Sequence, residues 1–387
     1  MDTVITAGRV LPRPSAPVVD GAVLVRDGVI VAAGPRAEVL PRAAPDASRH
    51  DFPTGTALAG LFNVHVHLAF DASREMLAHF QAGTSVEEAR SRLSSMLRSG
   101  VTTVRDLGDR GHLGAAVRAS FSDEVAPRLL VSGPPITVPD GHCHFFGGAV
   151  TSDDAIRALI DANAEAGADV IKVMASGGQI TEGGADMWES QFSERELSVV
   201  VSHAASHGLP VAAHAHGADA IEAAVSAGVS TVEHCSFLTG PRSFDRREAV
   251  AARMAASGIS ACSTSSRNWR VIVEKLGDEV AQAMYGRLPW LEEHGVRLLA
   301  GTDAGLPGSV FDDPVGALEL YEWLGFSRRR ILEIATCDSA AGLGLADVTG
   351  RLEPGLAADV LVVEGDPLAS LSALRNPLLV LAQGREA

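Results

Sequence analysis

Residues 58–67 read LAGLFNVHVH, an apolar run that ends in two histidines. The apolar part, 58–64, is typical of a strand buried on both faces, as the strands of parallel sheets are. Seven further runs of this kind follow along the chain, at 101–106, 128–132, 169–174, 210–214, 229–234, 259–263 and 296–302. Amphipathic stretches such as 85–99 and 193–207 lie between them and begin with a serine cap. This alternation predicts an α/β protein built on a (β/α)8 TIM-like barrel.

The two chain ends show a different pattern, with short strand-like runs and turns in place of long helices. Three such runs, at 4–10, 21–25 and 29–33, precede the barrel, and two more, at 359–363 and 378–383, follow a turn cluster at 350–355. An isolated hairpin is only marginally stable, so we expect both ends to pair in one sheet. The predicted domains are a small β-sandwich from residues 1–57 and 350–387 and a barrel from residues 58–349.

Composition limits the classes of partner that we expect. A formal net charge of −16 opposes binding to a phosphate backbone, so nucleic acid is not an expected partner. Charges and glycines break the apolar runs well before the roughly 18 residues that a membrane span needs. The first residues lack the basic start and long apolar stretch of a secretory signal. We therefore expect a soluble, cytoplasmic protein without a membrane partner.

Polar side chains occur at the ends of the predicted barrel strands. Barrel enzymes place catalytic groups there, because all eight loops converge at that face. Histidines two apart on a strand face the same side, so both rings of a His-x-His pair can bind one ion. The alternative is that these imidazoles are structural hydrogen-bonding groups. The candidate metal ligands at this rim are His65, His67, Lys172, His214, His234 and Asp303.

Asp303 follows an apolar strand in the segment LLAGTDA, residues 298–304. We expect this strand to bury the carboxylate. Beside a metal, a buried carboxylate would stay ionised, bind the ion and move a proton away from the attacking water. The alternative is a helix cap on the following loop.

Lys172 lies among apolar residues in VIKVM, residues 170–174, and is one of only two lysines among 32 basic residues. Burial without a partner lowers the pKa of an ammonium group, and the neutral amine is nucleophilic. It could add carbon dioxide and form a carbamate, an anionic ligand able to bridge two metals, which arginine cannot do. The alternative is a lysine that is paired with a carboxylate inside the barrel.

Taken together and in this order, these segments resemble the amidohydrolase superfamily, and within it the binuclear members with a carboxylated lysine. The similar imidazolonepropionase-like and prolidase-like branch, which includes dipeptidases and N-acyl amino acid hydrolases, shares the phrases IKVMASGG and AHAHG. The segments that carry the resemblance are GLFNVHVH (60–67), GVTTVRD (100–106), IKVMASGG (171–178), AHAHG (213–217), VEH (232–234), GTDAG (301–305) and GRLEPG (350–355).

The resemblance implies one ion held by His65, His67 and Asp303, a second held by His214 and His234, and a bridge from carboxylated Lys172. It also implies that a metal-bridging hydroxide attacks an amide carbonyl and that Asp303 passes the proton to the leaving nitrogen. Histidine and carboxylate sites accept several divalent ions, and we expect zinc.

Two segments depart from the pattern of this family. Cys235 follows His234 where such enzymes often have glycine. After the predicted strand at 128–132, DGHCH at 140–144 replaces a more glycine-rich loop that contains a histidine. In relatives the loop histidine is similar to a carbonyl-polarising group, which makes His142 or His144 a candidate catalytic residue. The alternative is a histidine that faces solvent.

The sequence offers three candidate substrate-binding residues. Arg267 and Arg270, after strand seven, could each clamp a carboxylate through paired hydrogen bonds. Solvated arginines are the preferred alternative in a chain with this many of them. His216 could contact substrate or only the top of the barrel.

The function that we predict from the sequence is hydrolysis of an amide bond in a small molecule, a dipeptide or an N-acyl amino acid. A cyclic amide hydrolase or a heterocycle deaminase is one alternative, and a non-catalytic binding relative is another. Lys172 argues against the single-metal arrangement that is usual in the deaminases. A homo-oligomer is compatible with the sequence but is not predicted by it.

Overall fold

A computed structural model describes residues 2–122 and 124–387. Its strands are β1 (Asp2–Val10), β2 (Val18–Arg26), β3 (Val29–Pro35), β4 (Ser48–Ala59), β5 (Leu61–Val66), β6 (Val101–Asp106), β7 (Arg128–Val131), β8 (Ile171–Met174), β9 (Val211–Gly217), β10 (Thr231–Gly240), β11 (Ser243–Phe244), β12 (Ser260–Cys262), β13 (Leu298–Leu299), β14 (Val360–Glu364), β15 (Pro377–Ala382) and β16 (Arg385–Glu386). The α-helices are α1 (Arg36–Val39), α2 (Met76–Ala82), α3 (Val86–Arg98), α4 (Leu113–Ser120), α5 (Asp153–Glu165), α6 (Glu194–Ser206), α7 (Ala218–Ala227), α8 (Glu248–Ser257), α9 (Trp269–Leu276), α10 (Asp278–Tyr285), α11 (Arg287–Glu293), α12 (Pro314–Trp323), α13 (Arg328–Glu333) and α14 (Ser339–Gly342).

Strands from both chain ends form one seven-stranded sheet, in the order β16-β15-β14-β4-β1-β2-β3. The two ends meet where β14 pairs antiparallel with β4. Successive residues of β1 point to opposite faces, so Ile5 and Val4 belong to two separate apolar clusters. The expectation that the two ends share one sheet is confirmed.

The turn between β2 and β3 is formed by Asp27 and Gly28, as their sequence predicts. Both residues have positive φ, 50° and 81°. A two-residue turn with both φ values positive has the twist that suits an antiparallel hairpin. This hairpin forms one edge of the seven-stranded sheet.

The prediction of one strand at 58–64 is wrong at its start. Leu58 and Ala59 belong to β4 and pair with β14, and the next strand begins only at Leu61. Gly60 lies between the two strands so close to Thr102 that a Cβ there would come within 2.1 Å of the threonine oxygen. Two buried strands in direct succession have the same apolar pattern as one, so periodicity alone could not separate them.

The middle of the chain contains two further sheets with parallel pairing. One has the order β5-β6-β7 and the other the order β13-β12-β10-β9-β8, with β11 added to β10. A parallel bridge from Ile136 to Val173 links the chain after β7 to β8. At the other edge, a parallel bridge from Val66 to Ala304 links β5 to the chain after β13. Backbone pairing therefore connects the two sheets at both edges, in an architecture of mixed α and β content.

The helices between these strands have the predicted ends. Ser85 and Ser193 cap α3 and α6, each in a reciprocal pair of hydrogen bonds with a glutamate three residues later. The glycines that lie between a helix and the next strand all have positive φ, between 70° and 91°, as is usual after a helix end, at Gly100, Gly167, Gly208, Gly228, Gly258 and Gly295. Within the described ranges, no helix combines the length and the apolar character that crossing a membrane requires.

Candidate metal centre

All six predicted metal ligands lie on the wall of one cavity of about 170 Å³. Residues within β8, β9 and β10 line it, together with the carboxyl end of β5 and the chain after β8 and β13. The predicted ligands on its wall are His65, His67, Lys172, His214, His234 and Asp303. The structure thus brings together residues that are up to 238 positions apart in the sequence.

His65, His67 and Asp303 form the first group of possible ligands. The Nε2 atoms of His65 and His67 lie 3.4 and 3.2 Å from the same oxygen, Oδ1 of Asp303. Gly301 permits this approach, because a Cβ there would lie 2.9 Å from Cβ of His65. Burial favours the neutral form of Asp303, but the two histidines and Lys172 outweigh it, so the pKa of Asp303 is lowered.

His214 and His234 belong to a second group, and the structure adds His216 to it. Ligand-type nitrogens of the three rings lie within 4.8 Å of one another. Nε2 of His214 donates to the carbonyl of Gly177 at 3.0 Å, and Nδ1 of His234 bonds to the hydroxyl of Thr264 at 2.6 Å. These bonds leave Nδ1 of His214 and Nε2 of His234 free to bind an ion.

His216 lines the cavity and stacks on His234 with ring centroids 4.2 Å apart. Its Nδ1 bonds to the hydroxyl of Ser236 at 3.0 Å. Sequence reasoning placed this residue among substrate contacts and missed its membership of the three-imidazole group. The available signal was the His-x-His spacing in AHAHG, which is the same as the spacing of His65 and His67.

Lys172 is 1% exposed, and its Nζ has no hydrogen-bond partner among the described residues. Burial lowers the pKa of this amine, while the carboxylates of Glu233 and Asp303 act in the opposite direction. A buried ammonium ion without a hydrogen-bonded partner is costly. The missing partner argues against the alternative of an ion-paired lysine, and the lowered pKa brings the neutral, nucleophilic amine within easier reach.

Glu233 and Arg105 lie beneath the first group and fix the orientation of His65. Oε2 of Glu233 accepts a hydrogen bond from Nδ1 of His65 at 2.8 Å, and Oε1 accepts one from Arg105 at 2.7 Å. Burial opposes the charge on Glu233, but Arg105 and His65 outweigh it and hold the pKa of this carboxyl below its usual range. The carboxylate thus keeps the proton of His65 on Nδ1 and turns Nε2 toward the cavity.

Sequence reasoning missed both residues of this pair. Each lies in a segment that carries the family resemblance, Arg105 in GVTTVRD and Glu233 in VEH. In each segment a charged residue lies inside an apolar strand. Buried charges are usually paired with an opposite charge, so this pattern was the available signal for the pair.

The loop after β7, the third predicted barrel strand, places its two histidines differently. His142 lines the cavity, with its ring centroid 4.5 Å from that of His214. Burial, followed by the charge of Lys172, lowers the pKa of His142 to about 4, so its imidazole is neutral near pH 7. Nδ1 of His144 instead bonds to the carbonyl of Gly141 at 3.1 Å, and this residue is not among those that line the cavity in the described ranges.

Arg267 and Arg270 lie outside the wall of this cavity as far as the described residues define it. Arg267 is 3.8 Å from the carboxylate of Asp313. Arg270 pairs with Glu319 and lies 4.6 Å over the ring of Trp269. A role in clamping a substrate carboxylate stays a prediction for both, and their existing ion pairs argue against it.

The rest of the cavity wall is largely apolar. The loop after β8 contributes Ile180 and Met187, and the chain after β13 contributes Leu306. Cys143 also lines the cavity, where burial raises the pKa of its thiol and keeps it protonated. The cavity thus combines ligand-type polar groups with an apolar wall, as sites for small organic molecules commonly do.

Comparison with known proteins shows the family of this chain. The sequence model of the Amidohydrolase family matches residues 56–386. The chain belongs to the amidohydrolase family. The resemblance drawn from the sequence motifs is confirmed, and this amidohydrolase is a hydrolase that acts on carbon–nitrogen bonds. The family is generally metal-dependent, and two groups in this cavity could hold a metal: His214 with His216 and His234, and His65 with His234 and Asp303.

Individual relatives cover nearly the whole chain. Ochratoxinase of Aspergillus niger is 26% identical over 98% of this chain and 84% of that protein. Its crystal structure matches with a TM-score of 0.85 at 25% identity, over 100% of this chain and 95% of the other. Imidazolonepropionase of Mesorhizobium japonicum is 25% identical over 88% of this chain and 86% of that protein. A crystal structure of a Xaa-Pro dipeptidase with bound methionine has a TM-score of 0.85 and 23% identity over all of both chains, which shows the fold alone.

Proposed function

We propose that this amidohydrolase cleaves an amide bond in a small molecule, a dipeptide or an N-acyl amino acid, with the help of two divalent ions. The observation that carries the proposal is Lys172, whose buried Nζ lies without a hydrogen-bond partner in the described part of the chain, on the wall shared by two groups of ligand-type side chains. A carbamate on this nitrogen would replace an unsatisfied amine with an anion able to contact both groups. The name of one relative, an ochratoxinase, supports a small organic molecule as the substrate.

We also propose that the eight parallel strands close into a (β/α)8 barrel. The bridges from Val66 to Ala304 and from Ile136 to Val173 support closure, because they join the two parallel sheets at both edges. The strands from the two chain ends would form the β-sandwich domain, with its boundary moved from residue 57 to Gly60. A cytoplasmic location stays a prediction.

The donor atoms fit a pair of ions. His65, His67 and Asp303 would hold one, and His214 and His234, with His216 beside them, would hold the other. Nitrogen and carboxylate donors suit zinc, which we keep as the expected ion. Bound there, two divalent ions would supply Lewis acidity and activate a water molecule for attack on the carbonyl.

The side chains would perform the proton transfer. Asp303 is ionised, because its neighbours lower its pKa, so a carboxylate oxygen can accept a proton from the attacking water. It would then pass the proton to the leaving nitrogen. His142, neutral near pH 7, would donate a hydrogen bond to the carbonyl oxygen as negative charge develops there. The apolar wall with Ile180 and Met187 would limit access of bulk water.

The test compares Lys172→Ala with Lys275→Ala, a variant of the only other lysine in the chain, which is exposed. We would measure metal content per chain and hydrolysis of a panel of dipeptides and N-acyl amino acids. Protein prepared in ¹³C-labelled bicarbonate would be examined for a carbamate resonance. We expect about two ions per chain, a carbamate signal, and loss of that signal and of activity in Lys172→Ala alone.

Other outcomes would reject the proposal in recognisable ways. One ion per chain with unchanged hydrolysis in Lys172→Ala would make the lysine structural and favour a single-metal deaminase. A chain that binds no ion and hydrolyses nothing would be a binding protein that has retained the ligands.

A further inference from the structure

A second group of ligand-type side chains lies on the surface, on two neighbouring helices. Asp161 is on α5, His203 is in the last turn of α6, and His207 is the residue that caps α6. Nε2 of His203 and Nε2 of His207 lie at the same distance, 2.7 Å, from the same oxygen, Oδ1 of Asp161. The three ligand atoms are all within 4.8 Å of one another.

The sequence and the packing together produce this convergence. His203 and His207 are four residues apart, so their rings project from the same side of the helix end. Their centroids are 5.4 Å apart and the rings are nearly perpendicular, which turns both Nε2 atoms toward one point. Helix α5 packs against α6 and brings Asp161 to that point.

The electrostatic setting favours a cation. The carboxyl end of a helix carries a partial negative charge, which stabilises positive charge nearby. The two histidines lie at the carboxyl end of α6, and Asp161 lies in the second half of α5. The histidine side chains are 23% and 33% exposed, so an ion could reach them from solvent and would still be partly shielded.

We propose that Asp161, His203 and His207 form a peripheral site for one divalent transition-metal ion of the zinc, nickel or copper type. Two imidazoles and one carboxylate are a ligand set that such ions accept, with water completing the coordination. On binding, the Nε2 lone pair of each imidazole takes the place of its N–H···O hydrogen bond, and a proton that stays on the ring then lies on Nδ1, toward solvent.

The peripheral site is separate from the proposed catalytic centre. The carboxyl ends of α5 and α6 lead directly into the starts of β8 and β9. His214 lies in the middle of β9, further along the strand than that start, and its side chain lines the central cavity. An ion at Asp161 therefore joins two helices at the far end of the strands, and its role is to stabilise the fold and not to take part in hydrolysis.

The test uses the full chain. The proposed catalytic centre in the cavity, called the central site, is first filled with zinc. The loaded protein would be dialysed against increasing Ni²⁺, and bound nickel counted by elemental analysis. The variants are His203→Ala and His207→Gln. The matched control is His79→Ala, which removes an exposed histidine bonded to a single aspartate, Asp71. We expect one saturable nickel ion per chain in the parent and the control, and none in either cluster variant.

A second measurement guards against misfolding of the variants. Circular dichroism and hydrolytic activity without added nickel should match the parent protein, because the cluster is remote from the cavity. Nickel should raise the Tm of the parent and of His79→Ala but not of His207→Gln. Equal nickel binding by all four proteins, or no nickel bound by the parent, would overturn the proposal. Because nickel is counted directly, either result holds whether or not the central site hydrolyses amides.

Discussion

The two histidine clusters of this chain use the same side chains in opposite settings. The central cluster is buried on and after the parallel strands, and the peripheral cluster of Asp161, His203 and His207 is partly exposed on two helices. The central cluster consists of His65, His67, Lys172, His214, His234 and Asp303. In the central cluster, Nζ of Lys172 and Nδ1 of His67 have no hydrogen-bond partner among the described residues. At the periphery, both Nε2 atoms are already bonded to a carboxylate.

The two settings should differ in how strongly a bound ion is favoured. A buried polar atom without a partner costs about 1–3 kcal/mol, so a ligand that satisfies the central groups removes a penalty. An ion at the periphery must instead replace two hydrogen bonds that already exist. We therefore expect the central site to bind ions more tightly than the peripheral one.

The largest effect should come from Asp303→Asn. The amide cannot accept a proton from water, so we expect kcat to fall by about 10²–10⁴-fold, the usual contribution of a positioned general base. Steady-state kinetics on metal-loaded protein would measure it. Asp312→Asn, in the same loop but exposed, is the matched control and should leave kcat unchanged. Equal losses in both variants would contradict the role of Asp303.

A pair of substitutions in one loop should give the next largest difference. His142 lines the cavity and His144 does not, although they are two residues apart. Removing a hydrogen-bond donor to a developing oxyanion costs about 10²–10³ in kcat, so His142→Ala should lose that much and His144→Ala little. Comparing kcat with KM in both variants checks this. A loss confined to KM would assign His142 to substrate binding.

Glu233→Gln should weaken the central site without touching a ligand directly. An amide holds the proton on Nδ1 of His65 less firmly than a carboxylate does, and loss of such a partner typically reduces metal affinity about 10–100-fold. Competition with a chelator would measure the affinity. Glu222→Gln removes a surface partner of Arg247 and should have no effect. A Tm measurement on both variants separates weaker binding from unfolding, since Arg105 would lose its charged partner.

Much of the central site could be predicted from the sequence because its signals are local. Each ligand follows or lies within a short apolar run, and parallel strands bring those ends together at one rim. The break at Gly60 could not be predicted, since two consecutive buried strands share one apolar pattern. The bond from Glu233 to His65 joins residues 168 positions apart, and no local pattern records such a distance.

The peripheral cluster shows the same limit in a helix. The four-residue spacing of His203 and His207 is visible in the sequence and predicts a shared face. Asp161 is 42 residues before His203, and only the packing of α5 on α6 brings it to the two rings. A pair of histidines alone is common on helix surfaces, so the third ligand was the decisive information and had to come from the structure.

The smallest expected effect is that of Asp161→Asn on stability without added metal. Hydrogen bonds from His203 and His207 lower the pKa of Asp161 below its usual value. A carboxyl with a lowered pKa contributes stability that is present above the pKa of the unfolded chain, about 3.9 for aspartate, and is lost as the pH falls through the folded value. The free energy of unfolding of the parent should therefore exceed that of Asp161→Asn at pH 7, by a small amount because the group is exposed. Urea unfolding from pH 7 down to about pH 3 would measure both proteins, and we expect their free energies of unfolding to converge at the acidic end. A difference that persisted there unchanged would mean that the charge of Asp161 does not support the cluster.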